Sequence, residues 1–201
     1  MLNKRFITFE GGEGSGKSTQ IKILKNKLSK KHSVIITREP GGTKEAEIIR
    51  NLLVKGKTNK LSGITEVLLN FAARKDHVEK IILPSLKNGK WVLCDRFSDS
   101  TLAYQGYGRN VSKDLIKNLN RSLIDDLKPK LTFLFDIDPK IGLPRSRKRS
   151  NDELRYENMP LNFHKKIRNA YLDIAKKNKK RIKIIDASLD KDSISEIIWS
   201  F

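Results

Sequence analysis

A chain of 201 residues has the size of one globular domain with a full core, and nothing in its length asks for a second. Its one cysteine, Cys94, excludes an intrachain disulfide and a cysteine-built zinc site and agrees with a reducing compartment. No stretch approaches the roughly 20 apolar residues of a membrane span, and the charged start "MLNKRF" lacks the apolar run of a signal peptide, so a cytoplasmic protein with no membrane partner is expected. The formal charge is +19, from 42 Lys and Arg against 23 Asp and Glu. Residues 140 to 183 carry 15 basic against 4 acidic residues, more than half of that excess. Such a face either attracts polyanions, nucleic acid or nucleotides among them, or is a solvated lysine-rich surface.

In chain order, apolar periodicity alternates between strand and helix, without repeats, low-complexity tracts or long linkers. Short β-branched or aromatic runs bounded by turn residues predict strands at 5–10, 33–38, 91–95, 131–137 and 182–186. Between them, helical spacing appears at Ile21, Leu24 and Leu28, and then over a long segment from Val67 through Phe71, Val78 and Ile82 to Leu86. It returns at Leu115, Leu119 and Leu123, and again at Phe163, Ile167, Tyr171 and Ile174. The pattern predicts an α/β domain: a five-stranded parallel sheet flanked by helices on both faces. Right-handed crossovers place all strand carboxyl ends on one edge, so function is expected just after Glu10, Arg38, Cys94 and Ile137.

The first of these places holds "GGEGSGKST", in which Gly11, Gly16, Lys17 and Ser18 satisfy G-x-x-x-x-G-K-[ST] between a predicted strand and a predicted helix. Glycines let backbone N–H groups turn inward around phosphate oxygens, and the helix start adds its positive dipole end. Gly11, Gly12, Glu13, Gly14, Ser15, Gly16, Lys17, Ser18 and Thr19 are therefore the candidate ATP-binding residues. Lys17 is the residue to reach the β and γ phosphates, and Ser18 the hydroxyl for Mg²⁺. The strand "WVLCD" ends in Asp95, a second candidate for holding Mg²⁺, followed by Arg96, whose planar fork can bridge phosphates.

Together with "TREPGGT" at 37–43, "FAARKDHVEKIILPSLKNGK" at 71–90, "DRFSDSTLAYQGYGR" at 95–109 and "RSRKRSNDELRYE" at 145–157, these motifs resemble the bacterial type of thymidylate kinase, a P-loop nucleoside monophosphate kinase, nearly end to end. The resemblance implies transfer of the ATP γ-phosphoryl group to dTMP, giving dTDP on the way to dTTP. It also implies one domain over 1–201 with a small basic lid at about 142–157, and a homodimer formed through helices near 43–88. The acceptor is already an anion and needs no general base, so catalysis would be positioning and charge neutralisation by Lys17, Arg96, Asp95-held Mg²⁺ and the lid. The phosphate loop carries no arginine, which leaves Arg145, Arg147 and Arg149 of the lid to reach the transferred group.

The same resemblance implies Glu39 in the acceptor pocket and Arg50 on the acceptor phosphate. Arg74 and Gln105 would take the thymine edge, with Ser100 and Thr101 lining the site. Tyr104 would lie under the deoxyribose, and Glu13 near the acceptor sugar or metal. Relatives place a Phe four residues before the base-reading Arg; here that place is Asn70, and Phe71 follows it, about 100° further round a helix. Both are kept as candidates for the thymine. In the lid, Leu154 stands where relatives have Asp, with Glu153 beside it. Without the resemblance, Arg50 reads as a helix surface charge, Arg74 as a salt-bridging residue and Tyr104 as core. The alternatives are another nucleoside monophosphate or deoxynucleoside kinase, or a basic P-loop ATPase that binds nucleic acid. The chain shows no RNA-recognition or helix-turn-helix signature, so no stable nucleic-acid partner is expected.

Overall fold

The strands β1 (Phe6–Gly11), β2 (Val34–Arg38), β3 (Trp91–Asp95), β4 (Leu131–Asp136) and β5 (Ile182–Asp186) form one sheet in the computed structural model, which describes residues 2–124, 127–147 and 153–201. Their order is β2-β3-β1-β4-β5 and every pairing is parallel. The strands expected from the sequence lie within one residue of these bounds, because a parallel strand covered on both faces needs an almost unbroken apolar run. In β1, Phe6 enters one core layer with Val67, Phe71, Phe97 and Ile116, while Ile7 and Phe9 enter the other with Ile21, Leu93, Phe133 and Ile198. The buried hydroxyls of Thr8 and Thr132 hydrogen-bond each other at 2.7 Å across the β1–β4 pair, so neither costs the sheet an unpaired polar group.

The helices are α1 (Lys17–Leu28), α2 (Lys44–Val54), α3 (Gly63–His77), α4 (Leu83–Lys87), α5 (Ser98–Thr101), α6 (Lys113–Ile124), α7 (Pro139–Arg147), α8 (Leu161–Lys177) and α9 (Lys191–Trp199). α1 and α9 cover one face of the sheet; α3, α6 and α8 cover the other, with α2 laid on α3. The long helix expected up to Leu86 is interrupted by a widened π turn at Val78–Ile82, where the N–H of Leu83 donates to the carbonyl of Val78. Pro84 follows directly; it has no N–H to give and its ring would strike a carbonyl one turn back, which the extra residue in the turn relieves. A second wide turn, Leu102–Gly108, extends α5 over a segment whose glycines hide its helical character in the sequence. None of the helices among the described residues is long and apolar enough to cross a membrane.

A polar cluster sits inside this core. Glu66, fully buried on α3, accepts from the Arg155 guanidinium at 2.6 Å, from the Gln105 amide at 2.9 Å and from the Tyr156 hydroxyl at 3.2 Å. The remaining donors of Arg155 go to the carbonyls of Leu53, Lys57 and Thr58, so one guanidinium fastens the segment after residue 153 to the end of α2 and to α3. Removing it leaves the buried Glu66 carboxylate with the Arg109 guanidinium, 3.4 Å away, as its remaining cation among the described residues, and takes the donor from three carbonyls: Arg155→Ala should cost about 3–5 kcal/mol of stability. A urea unfolding series measures this, and a loss within experimental error of zero would show the pair to be dispensable.

Candidate active site

The phosphate loop leaves the carboxyl end of β1, the strand flanked on both sides by neighbours whose connections run in opposite directions, which is where open parallel sheets bind ligands. Gly16 caps α1 in a left-handed conformation, φ 87°, that an L side chain would strain. Lys17 is buried, and its ammonium lies back on its own loop, 3.1 Å from the carbonyl of Gly11, 2.9 Å from that of Gly12 and 3.3 Å from Ser15 Oγ. Burial first, and then the Arg96 charge, lowers its pKa to about 8. Ser15 donates to the Gly12 carbonyl at 3.0 Å, and Thr19 lies exposed on the first turn of α1. Gly14 touches Gly142 of α7: a Cβ on Gly14 would overlap the Gly142 carbonyl, and a Cβ on Gly142 would overlap the Glu13 carbonyl.

β3 delivers the other half of the phosphate side. Ser18 Oγ donates to Asp95 Oδ2 at 3.2 Å, so the two residues expected to hold Mg²⁺ meet across the loop. One carboxylate and one hydroxyl, open on one side to phosphate, is a donor set that suits a magnesium ion sharing its shell with substrate and water. Arg96 has φ 68°, left-handed for a non-glycine residue, with its N–H on the Phe9 carbonyl at 2.9 Å. Its guanidinium donates to Glu13 at 2.9 Å, to the Tyr171 hydroxyl at 3.0 Å and to Ser100 at 3.3 Å. Tyr104 donates to the same Glu13 oxygen at 2.6 Å. Burial works against ionisation of Glu13, but Arg96 and Lys17 outweigh it and hold that carboxyl down to about 2.

Two cavities meet at this node. The phosphate-side one, about 230 Å³, is lined by Ser15, Gly16, Lys17, Ser18, Asp95 and Arg96 among others. The second, about 120 Å³, has Asn70, Ser100, Thr101, Tyr104 and Gln105 in its wall and shares Glu13, Glu39, Arg50 and Arg96 with the first. Arg50 donates two bonds to Glu153 at 2.8 and 3.0 Å and one to the Pro40 carbonyl at 2.9 Å. Glu157, in the wall of both cavities, has its carboxyl raised to about 7 by burial and by the nearby Glu13.

Arg74 lies just behind this wall, its Nε donating to Glu39 at 2.6 Å and its Nη2 to Thr101 at 2.9 Å, while its buried Nη1 has no partner among the described residues. Phe71 does not reach the cavity. It is packed in the core beneath the Arg74 guanidinium, 5.1 Å from ring centroid to Cζ, and Asn70 takes the cavity side; one residue along a helix is enough to exchange wall for core. Arg145 and Arg147 are exposed near the end of α7, with Arg147 donating to the Glu157 carbonyl at 3.1 Å, and neither lines the cleft. Arg149 lies outside the described residues.

Several residues of the site gave no signal in the sequence. His77, fully buried, faces Thr37 at 2.6 Å through Nε2 and Glu39 at 3.1 Å through Nδ1, and so fixes the carboxylate that fixes Arg74. Glu10 accepts from the Phe97 N–H at 2.8 Å, Ser100 at 2.6 Å and Tyr171 at 3.1 Å; burial and the Asp99 charge raise it to about 7. These are buried polar side chains whose partners come from distant elements, and a spacing argument along one helix or strand does not find them.

A loop of this kind at a sheet's switch point, with a strand-terminal Asp-Arg and a second cavity against it, defines a P-loop kinase that acts on a small phosphorylated acceptor. The family profile described as thymidylate kinase matches residues 9–198. Thymidylate kinase of Afipia carboxidovorans is 48% identical over 97% of this chain and 87% of its own, and that of Magnetococcus marinus 46% identical over 98% and 95%. The crystal structure of thymidylate kinase from Ehrlichia chaffeensis superimposes with a TM-score of 0.78 at 39% identity, covering 97% of this chain and 96% of that one. The chain belongs to the thymidylate kinase family.

Two outcomes are expected from this geometry. Gly142→Ala places a methyl against the Glu13 carbonyl, backbone that cannot rotate away, at a cost of about 1–3 kcal/mol that falls on the packing of the loop against α7. Calorimetric titration should show ATP affinity reduced about tenfold with far-UV dichroism unchanged, and an unchanged affinity would contradict the contact. The second concerns Lys17. Binding a phosphate anion needs the ammonium, and the free protein gives up that proton near pH 8. From about pH 8 to 10, above the range in which Glu157 ionises, affinity should fall as Lys17 loses its proton, whereas Lys17→Gln, with no proton to lose there, should bind weakly and flatly.

Proposed function

We propose that the protein transfers the γ-phosphoryl group of ATP to the 5′-phosphate of dTMP, releasing ADP and dTDP, as one domain with a lid at about 142–157. The observation that carries this reading is the position of Arg96, whose guanidinium stands in the wall of both cavities and touches the phosphate loop through Glu13. A donor phosphate on the loop and an acceptor phosphate in the second cavity would flank one fixed positive charge. Lys17 would leave the carbonyls of its own loop for the β and γ oxygens, and Ser18 and Asp95 would hold Mg²⁺, which when bound supplies further charge neutralisation. No base is needed, because the acceptor oxygen is already ionised. Of the lid residues, Arg145, Arg147 or Arg149 would add a planar donor to the charge that develops during transfer.

The base pocket is assigned on the same footing. The unpartnered Nη1 of Arg74 is a donor suited to a base carbonyl. The Gln105 nitrogen is committed to Glu66 and Tyr156, which leaves its carbonyl oxygen for a ring N–H. Thymine presents both groups, and Asn70, in the wall of the same cavity, would be the side chain to meet the extra methyl of thymine over uracil. Arg50 and Glu39 complete the acceptor side, and Tyr104, fixed by its bond to Glu13, offers a ring to the deoxyribose. A homodimer is supported by the apolar residues left bare on α2 and α3, among them Ile48 at 65% and Leu68 at 54% exposure, which a second copy would cover. Work in the cytoplasm with no nucleic-acid partner fits a nucleotide-processing role.

ADP release measured across all nucleoside monophosphates tests the reading. dTMP should exceed dUMP by about 10–200-fold in kcat/KM, the range one methyl group in a pocket supplies. UMP should be poorer again. AMP or CMP as best acceptor would refute the assignment of the base pocket while leaving the kinase chemistry standing.

A further inference from the structure

At the amino ends of the strands, opposite the phosphate loop, lies a cavity of about 380 Å³, larger than either lobe of the catalytic cleft taken singly. Its floor is apolar, built from Ile7, Leu24, Phe133 and Ile198 between the sheet and the ends of α1 and α9. Three exposed lysines stand on its rim, Lys4, Lys130 and Lys180, and no acidic side chain lines it among the described residues. None of the three ammonium groups has an ion-pair partner among the described residues, although elsewhere lysines such as Lys27 and Lys177 find one. Trp91 forms part of the wall, and its indole N–H is buried without an acceptor among the described residues. Trp199 and Phe201, which close the cavity on the α9 side, are 50% and 61% exposed. A cavity of this size, an apolar floor, a buried donor wanting an acceptor and unpaired cations on the rim are the features of a ligand site.

The features also select the ligand. The two helices that border the cavity present their carboxyl ends here, α1 at Leu28 and α9 at Trp199, so the backbone offers carbonyls and no N–H cradle. Among the described residues no arginine lines the wall. Both points disfavour a phosphate or polyphosphate, which calls for inward N–H groups or planar forks. A single compact negative charge on an apolar body is what remains. We propose that this cavity is a second ligand site that takes a single-chain carboxylate of the fatty-acid class. The chain would lie along Leu24, Phe133 and Ile198, and the carboxylate would sit among Lys4, Lys130 and Lys180 and accept from the indole of Trp91.

The chain carries two tryptophans, Trp91 and Trp199, and both line this cavity, so intrinsic fluorescence reports on it directly. The full-length protein is titrated with dodecanoate below the concentration at which the probe self-associates, with calorimetry for stoichiometry. The expected result is a saturable change at one equivalent per chain, not displaced by ATP or dTMP. Dodecyltrimethylammonium, with the same chain and the opposite charge, should bind at least about tenfold more weakly, and so should dodecanoate to the K4E/K130E/K180E variant. The comparison of the two amphiphiles on the unaltered protein decides the matter even if that variant folds poorly. A response that does not saturate, equal binding of the cationic probe, unchanged binding by the variant, or displacement of dodecanoate by ATP or dTMP would each overturn the proposal. So would self-association through this face that dodecanoate does not reverse, which would make the occupant a second copy of the chain.

Discussion

The ion pair between Glu13 and Arg96 is the constraint on which the site depends. One partner belongs to the phosphate loop after β1 and the other to the turn after β3, the adjacent strand. The Arg96 backbone is left-handed, a conformation that costs an L residue about 1–2 kcal/mol. That cost is offset where it arises, by the N–H bond to Phe9 and by guanidinium bonds to Glu13, Tyr171 and Ser100. In return the side chain is thrown sideways across the end of β1 and not outward along β3, so one positive group faces both cavities. Tyr104 and Arg96 together neutralise and aim Glu13, and Glu10 below them ties Phe97 and Ser100 to the same strand.

Around that pair the structure spends its buried polar groups on rigidity. Thr37, His77, Glu39 and Arg74 form a chain of hydrogen bonds from β2 to α3 to the wall of the acceptor cavity. Glu66, Arg155, Tyr156 and Gln105 form another, from α3 to the segment after residue 153. Each chain reaches the wall of the second cavity: the first through the bond from Arg74 to Thr101, the second through Gln105. In a low-dielectric interior, polar groups fixed this way need little rearrangement when a ligand arrives. The backbone contact of Gly14 and Gly142 does the same for the phosphate loop from the α7 side.

The strands and the phosphate loop were legible because their signals are local. An apolar run such as "LTFLFD" means a covered strand wherever it falls, and the glycines of "GGEGSGK" constrain backbone shape within a few residues. α7 was hidden by Gly142 and Pro144, and α9 by the polar residues of "KDSISEIIW", where packing and not propensity decides the helix. Motif resemblance brought Glu39, Arg74 and Gln105 to the site but left Asn70 and Phe71 open, since sequence order does not say which side of α3 meets the core. His77, Glu66 and Gly142 could not be read at all: a buried carboxylate or imidazole looks like a surface one until its partner, some 40 to 90 residues away, is in place.

The central claim is that donor and acceptor sites abut across Arg96. A single molecule carrying adenosine and thymidine joined by five phosphates, long enough to lie on the loop and in the acceptor cavity at once, tests it most directly by calorimetry. The account predicts one molecule bound per chain, loss of all ATP and dTMP binding in its presence, and affinity well above that of either nucleotide. Binding no tighter than ATP alone, with dTMP still taken up beside it, would show that the two cavities are not one reaction site.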